Sequence, residues 1–168
     1  MRIAQTFTVA APIGRVWNFI TDPDQVAPCV PGCQSFEVVG PKHYKASVKI
    51  AVGPIKTIFN VNVELTEEEP PFFAASITRG EEGGKASTLT ANSELRLKPT
   101  PNGQTEVSYS SEIALVGRLG KFGLGIMKKQ AEKLGEEFVE VFRARVQGDK
   151  QAEVNAGKTN EVSPAGIG

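Results

Sequence analysis

Histidine is almost missing from this chain, with His43 alone among 168 residues. A zinc site built on imidazoles, or a general base of the commonest kind, therefore has little to draw on. The two cysteines, Cys29 and Cys33, are too few for a Cys-only metal site, and three residues separate them where a redox Cys-x-x-Cys motif has two. Neither sign of charge is in excess. Lys plus Arg and Asp plus Glu number 19 each, so the electrostatic footprint of a nucleic-acid binder is missing. No apolar run approaches the roughly 20 residues that a helix needs to cross a bilayer. Residues 1–7 alternate like a strand and lack the apolar core of a signal peptide. A cytoplasmic location is expected, and there the cysteines should be free thiols.

What is present is alternation of period two. Ile3, Gln5, Phe7 and Val9 share one face of a first strand. Pro12 then suits a helix start, Ile13, Val16, Trp17, Phe19 and Ile20 follow at helical spacing, and Asp22-Pro23 ends the helix. A short helical turn over 24–28 is broken by Val30-Pro31-Gly32. From there strands alternate with turns. A short strand covers 36–39, and Tyr44, Ala46, Val48, Ile50 and Val52 line one face of the next. After Gly53-Pro54, Ile55 to Leu65 line a long strand, and 72–78 read as another, closed by a charged, glycine-rich turn over 80–84. Leu89, Ala91, Ser93, Leu95 and Leu97 line one further strand, and Val107, Tyr109, Ser111, Ile113 and Leu115 the last. Strands joined by short turns predict an antiparallel meander of about seven members.

Residues 117–146 read as one long helix. Leu119, Phe122, Ile126, Leu134, Phe138 and Val141 form its apolar stripe, widened by Met127, Ala131 and Phe142. The apolar sector spans about 200°, wider than a surface helix needs, so a concave surface should grip it. After Gly148 the chain loses its period. The expected organisation is a ligand-binding domain over 1–147 and a disordered polar tail over 148–168.

Several motifs admit a sharp and a plain reading. Gly117 to Gly125 follows a strand and opens a helix, but its glycines lack the Gly-x-Gly-x-x-Gly spacing of a dinucleotide site, and no parallel strand follows. These glycines either let the helix start pack tightly or leave it loose as a gate. Cys29 and Cys33 flank a structural turn or form an oxidation-sensing thiol pair. The inward residues either fill a solid core or line a cavity, a choice that periodicity leaves open. Glu64, Glu94 and Glu112 fall on the polar strand faces, and Tyr109 is the inward phenol of the strands. No nucleophile–base pair stands out, so an enzyme is not expected.

The ordered motifs resemble one family. Pro12 and Val16-Trp17 lead to Asp22-Pro23 and Ala27-Pro28-Cys29-Val30-Pro31-Gly32. Val52-Gly53-Pro54-Ile55, Phe59, and Gly83-Gly84-Lys85-Ala86 before Leu95 follow. Thr105, Val107 and Tyr109 then precede Gly117-Arg118-Leu119-Gly120, with Phe138 in the closing helix. Over about residues 1–146 the chain resembles the CoxG family (the carbon monoxide dehydrogenase G subunit), part of the START-like (SRPBCC) superfamily. That resemblance implies an α+β, helix-grip fold: a curved seven-stranded antiparallel sheet around a long C-terminal helix, with two short helices after strand 1. It implies a non-catalytic accessory of carbon monoxide dehydrogenase or a related molybdenum hydroxylase. Such a protein would bind a hydrophobic small molecule, a quinone (menaquinone or ubiquinone) or another lipid, and link the enzyme to the membrane by transient contact at its inner face. Laid over the apolar faces, the resemblance makes Ile50, Phe59, Val61, Phe73, Leu89, Tyr109, Leu119, Phe122, Ile126 and Met127 the expected lining, with the ligand's polar head near Phe122. An adaptor without ligand, or a START-like cyclase or hydrolase, is the alternative.

Overall fold

The computed structural model describes residues 1–159, and side chains as far as Gly148. The alternating segments form seven strands: β1 (Arg2–Val9), β2 (Cys33–Gly40), β3 (His43–Val52), β4 (Ile55–Glu69), β5 (Phe73–Glu82), β6 (Ser87–Pro99) and β7 (Thr105–Gly117). They make one antiparallel sheet in the order β1-β7-β6-β5-β4-β3-β2. Each strand from β2 to β7 pairs with its neighbour in sequence, as short connections dictate, and β1 closes against β7. The register aligns the apolar residues in rows across one face. Ala91 stands opposite Ile113 and Thr78, while Tyr109 stands opposite Leu95 and Gln5.

Between β1 and β2 run α1 (Ile13–Ile20), α2 (Pro23–Val26) and a 3-10 turn, Ala27–Cys29. α1 presses Val16, Trp17 and Phe19 into the core. Asp22 caps α2, its carboxylate accepting from the Asp24 amide at 3.0 Å, and Pro23 occupies the first turn, where no N–H is needed.

The C-terminal helix departs from its sequence reading at both ends. Residues expected to open a helix at Gly117 form a 3-10 turn, Arg118–Phe122, and α3 runs from Leu124 to Thr159. Gly117 (φ 108) and Gly123 (φ 88) hold backbone conformations that side chains disfavour, so the chain bends at each. At the far end α3 continues through the first part of the expected polar tail. Lys150, Gln151, Ala152 and Glu153 are good helix formers, which a reading based on apolar period alone passes over. The rest of that segment, 160–168, lies outside the described residues.

α3 packs chiefly along β1 and against α1 and the two 3-10 turns nearest it. Its buried residues are Met127, Val139, Phe142 and Val146, while Ile126 and Val141 are exposed. Phe142 is the centre of the larger core, meeting Phe7 and Phe19 edge-on at 6.2 and 5.4 Å and stacking on Phe138 at 5.6 Å. Each such ring pair contributes about 0.5–1.5 kcal/mol beyond its buried area. α3 also covers the free edge of β1. Arg143 Nε donates to the Thr8 carbonyl at 3.1 Å, and the Ala10 amide donates to Gln147 Oε1 at 3.0 Å.

Candidate ligand-binding site

Two apolar clusters lie on the inner face of the sheet, one towards each end. The first joins Val9, Val16, Trp17, Phe19, Leu97, Val107, Phe142 and Val146. The second centres on Val52, Phe59, Leu119 and Met127, with Ile50, Val61, Leu89 and Phe122 packed around them. Seven of the ten residues expected to line a site therefore do come together: Ile50, Phe59, Val61, Leu89, Leu119, Phe122 and Met127. Of these, Phe59, Leu119 and Met127 are buried by one another and by their neighbours. They form a floor at this end of the sheet.

Between the clusters the inner residues are small or hydroxylic. The register places Ser76 beside Ser93 and Ser93 beside Ser111, with Thr78 and Ala91 in the adjoining row. The Ser93 and Ser111 hydroxyls are 2.9 Å apart. Tyr109 shares this face, since its row partners are Leu95 and Gln5, yet it is 38% exposed. Val61, Val63, Leu89, Leu95 and Ile113 on the same face are half-buried. An inward residue in a filled core would be covered, as Leu97 and Val107 are (3% and 0% exposed). At mid-length the inner face is thus less covered over Tyr109 and its half-buried neighbours than at Leu97 and Val107, although Ala91 and Ser111 are buried (7% and 3% exposed). This partly covered stretch, a shallow trough, has apolar walls and a band of hydroxyls.

Two expected lining residues lie elsewhere. Phe73 pairs with Arg96, on the outer face of β6, and the Arg96 guanidinium covers its ring at 4.6 Å. Ile126 is 53% exposed, because the break at Gly123 rotates the helix relative to a stripe counted from Gly117. A further hollow of about 500 Å³ lies along the flank of β1 and α3, lined by Gln5, Phe7, Val139, Arg143 and Gln147 among others. None of the predicted site residues reaches it.

The most buried charge in the described part of the chain falls where the sequence suggests an exposed turn. β5 runs on through Glu82, and the turn is confined to Gly83–Lys85. Glu82 is 2% exposed, faces inward opposite Phe59, and accepts at Oε1 from Arg118 Nε (2.9 Å), from Arg118 Nη2 and from Thr57 Oγ1 (2.9 Å). The Arg118 guanidinium, aided by the Ser87 and Thr57 hydroxyls, holds the carboxyl down at about 2 against the burial that would raise it. The Leu119 amide donates to Ser87 Oγ at 3.1 Å and the Arg118 amide to the Ala86 carbonyl at 3.0 Å. Together these bonds fasten the 3-10 turn before α3 onto the β5–β6 connection. On the other side the Phe122 ring lies against Gly53, where an added Cβ would come within 3.3 Å. The signal that could have found Glu82 is the continued alternation of Ala74, Ser76, Thr78, Gly80 and Glu82.

Cys29 and Cys33 are free. Burial pushes both thiols up, and each hydrogen-bonds a nearby carbonyl, of Gln25 and Ser35 respectively. Neither is an activated nucleophile. Glu64, Glu94 and Glu112 are exposed as expected, and His43 is exposed at the start of β3.

A family model described as CoxG, the carbon monoxide dehydrogenase G subunit, matches residues 6–147. The chain belongs to the CoxG family. No curated protein matches it in sequence. Solved structures place CoxG within a wider fold. A conserved protein from Geobacillus kaustophilus shares 22% identity over 88% of this chain and 95% of its own, with a TM-score of 0.81. A START superfamily protein from Mycobacterium smegmatis shares 12% over 87% and 97%, at 0.68. The Zhui aromatase/cyclase from Streptomyces sp. R1128 shares 15% over 88% and 93%, at 0.64. The seven-stranded antiparallel sheet and long C-terminal helix are thus the helix-grip fold of START-like proteins. Among the described residues, no helix of this CoxG protein is long and apolar enough to cross a membrane.

Proposed function

We propose that this CoxG protein is a non-catalytic accessory of a molybdenum hydroxylase, of the carbon monoxide dehydrogenase kind, and carries a quinone or similar membrane amphiphile in its trough. Tyr109 carries the reading: a phenol on the inner face that is nevertheless 38% exposed supports room for a ligand beside it. The chemistry of that space suits an amphiphile. Tyr109, Ser76, Thr78, Ser93 and Ser111 offer hydroxyls to a carbonyl-bearing ring, and Val61, Val63, Leu89 and Leu95 offer walls to an alkyl tail. The head therefore belongs in mid-trough and not beside Phe122, whose ring is occupied with Gly53. A ligand of this kind, menaquinone or ubiquinone above all, would connect a cytoplasmic dehydrogenase to electron carriers at the inner face of the membrane.

The CoxG name supports the partner, and the trough's side chains argue against catalysis. Tyr109 alone is a poor acid–base catalyst, and Glu64, Glu94, Glu112 and His43 lie in solvent. Organic extraction of the purified full chain followed by mass spectrometry tests the reading. A quinone or lipid is expected from the native chain, and Ser93→Phe, which fills the trough, should lose it. Tyr109→Phe should weaken retention by roughly fivefold, the value of one hydrogen bond of about 1 kcal/mol. Repeated extraction that yields no amphiphile, including after incubation with membrane lipids, would leave an adaptor that docks the enzyme by its surface alone.

A further inference from the structure

The 3-10 turn Arg118–Phe122 lies between two glycines of opposite character. At Gly117 an added Cβ would collide with the Ala86 carbonyl oxygen, so only glycine lets the end of β7 lie this close to the β5–β6 connection. At Gly123 no atom lies within 4 Å of an added Cβ. One joint is pressed against the sheet and the other turns in open space. Between 116 and 126 Leu119 is the one buried residue. Its side chain sits in the floor cluster with Phe59 and Met127, among Ile50, Val61 and Leu89. Lifting the turn would therefore uncover that floor. Few bonds hold it down. The Arg118 and Leu119 amides donate to the Ala86 carbonyl and to Ser87 Oγ. The Arg118 guanidinium grips Glu82 through Oε1 alone, while Oε2 is buried without a hydrogen-bond partner among the described residues. This grip is weaker than a two-oxygen fork. The Arg118 side chain is 45% exposed, so water can take over its donors as it leaves. Thr57, on β4, keeps its bond to Glu82 Oε1 in either position, and the buried carboxylate is never left without a donor.

We infer that Arg118–Phe122 is a strap that swings off the sheet to admit an alkyl tail onto the floor around Phe59 and Met127, with Glu82 as its latch. The inference deepens the amphiphile-carrier reading and rests on it. A shallow trough leaves much of a tail in water, whereas ligand sites bury roughly 70–90% of their ligand's surface. The missing depth lies under Leu119. A head among the mid-trough hydroxyls directs its tail along Val61 and Leu89, and both pack against the cluster that Leu119 closes. Opening breaks contacts of five residues and leaves the sheet and the Phe142 cluster intact, so it is a local event and not an unfolding of the domain. Release of Arg118 from Glu82 is its first step, because the guanidinium is the strap's one ionic contact with the sheet.

Amide hydrogen exchange of the full chain, followed by NMR, tests the opening without any ligand. The Leu119 amide is expected to exchange at least about tenfold faster than that of Val107 in β7. Leu97→Ala, in the other cluster, should speed Val107 and leave Leu119 unchanged. Arg118→Met should speed Leu119 by about a further tenfold. Stopped-flow mixing with decylubiquinone, read by quenching of the protein's own fluorescence, tests the entrance. Arg118→Met should raise the association and dissociation rates together by about tenfold and keep the affinity within about threefold. Phe122→Ala frees the strap's other end from Gly53 with the Glu82 pair intact, and should act in the same direction should loss of the arginine prevent folding. A Leu119 amide that exchanges only in step with Val107 overturns the inference, as do unchanged quinone rates in both variants. Either result with quinone still bound removes the strap and leaves the carrier reading standing. A native chain that opens at Leu119 but binds no decylubiquinone removes the carrier reading, and the entrance with it.

Discussion

At the residue scale, Glu82 is the position with the largest consequences for stability. Its carboxylate is buried, so its charge is tolerable only while Arg118, Thr57 and Ser87 address it. Removing the partner should cost more than the bond is worth. Arg118→Ala is expected to lose about 1–3 kcal/mol in urea unfolding, the penalty for stranding a buried polar group, and to raise the Glu82 carboxyl. The native fold binds this proton less readily than the unfolded chain, at about 2 against an ordinary 4.5. Stability from this group is thus fully present above pH 4.5 and lost as pH falls from there through about 2. Glu82→Gln should flatten the native chain's decline in that window. An acid profile identical to the native one would show that the pair is not responsible.

At the element scale, the strands were legible in the sequence because alternation is local and half the residues of each strand face water. The inner faces of β3, β4, β6 and β7 follow the sequence reading residue by residue. Helical phase is less forgiving. Counting one helix from Gly117 carries the stripe across the bend at Gly123, so Ile126 and Val141 fall outside the buried face, whereas Met127, Phe138 and Phe142, also in the apolar sector, lie on it. Phe73 escapes the sequence reading for another reason. The alternation of Ala74, Ser76, Thr78, Gly80 and Glu82 puts Phe73 on the opposite face of β5, a sign that a reading by side-chain size alone passes over. The observed phase is checked by two substitutions. Phe142→Ala should destabilise by about 3–5 kcal/mol, because it hollows the centre of three ring contacts. Ile126→Ala should stay within about 0.5 kcal/mol in the same denaturation assay.

At the scale of the whole molecule, an open sheet has two rims, and a bare rim invites another strand. Here α3 occupies the β1 rim through Arg143 and Gln147, while β2 keeps its outer side and exposes Val38 and Val39. Register shifts near both ends of β2 interrupt the flat stretch it could offer. A molecule with one available rim can pair once, about a two-fold axis, and then has nothing left to offer a third copy. Releasing the guarded side should change that arithmetic. Arg143→Ala combined with Gln147→Ala is expected to produce species beyond dimer by light scattering at concentrations where the native chain shows none. The same helix that roofs the trough thereby acts as a terminator, setting an upper limit of two on how far copies can join edge to edge.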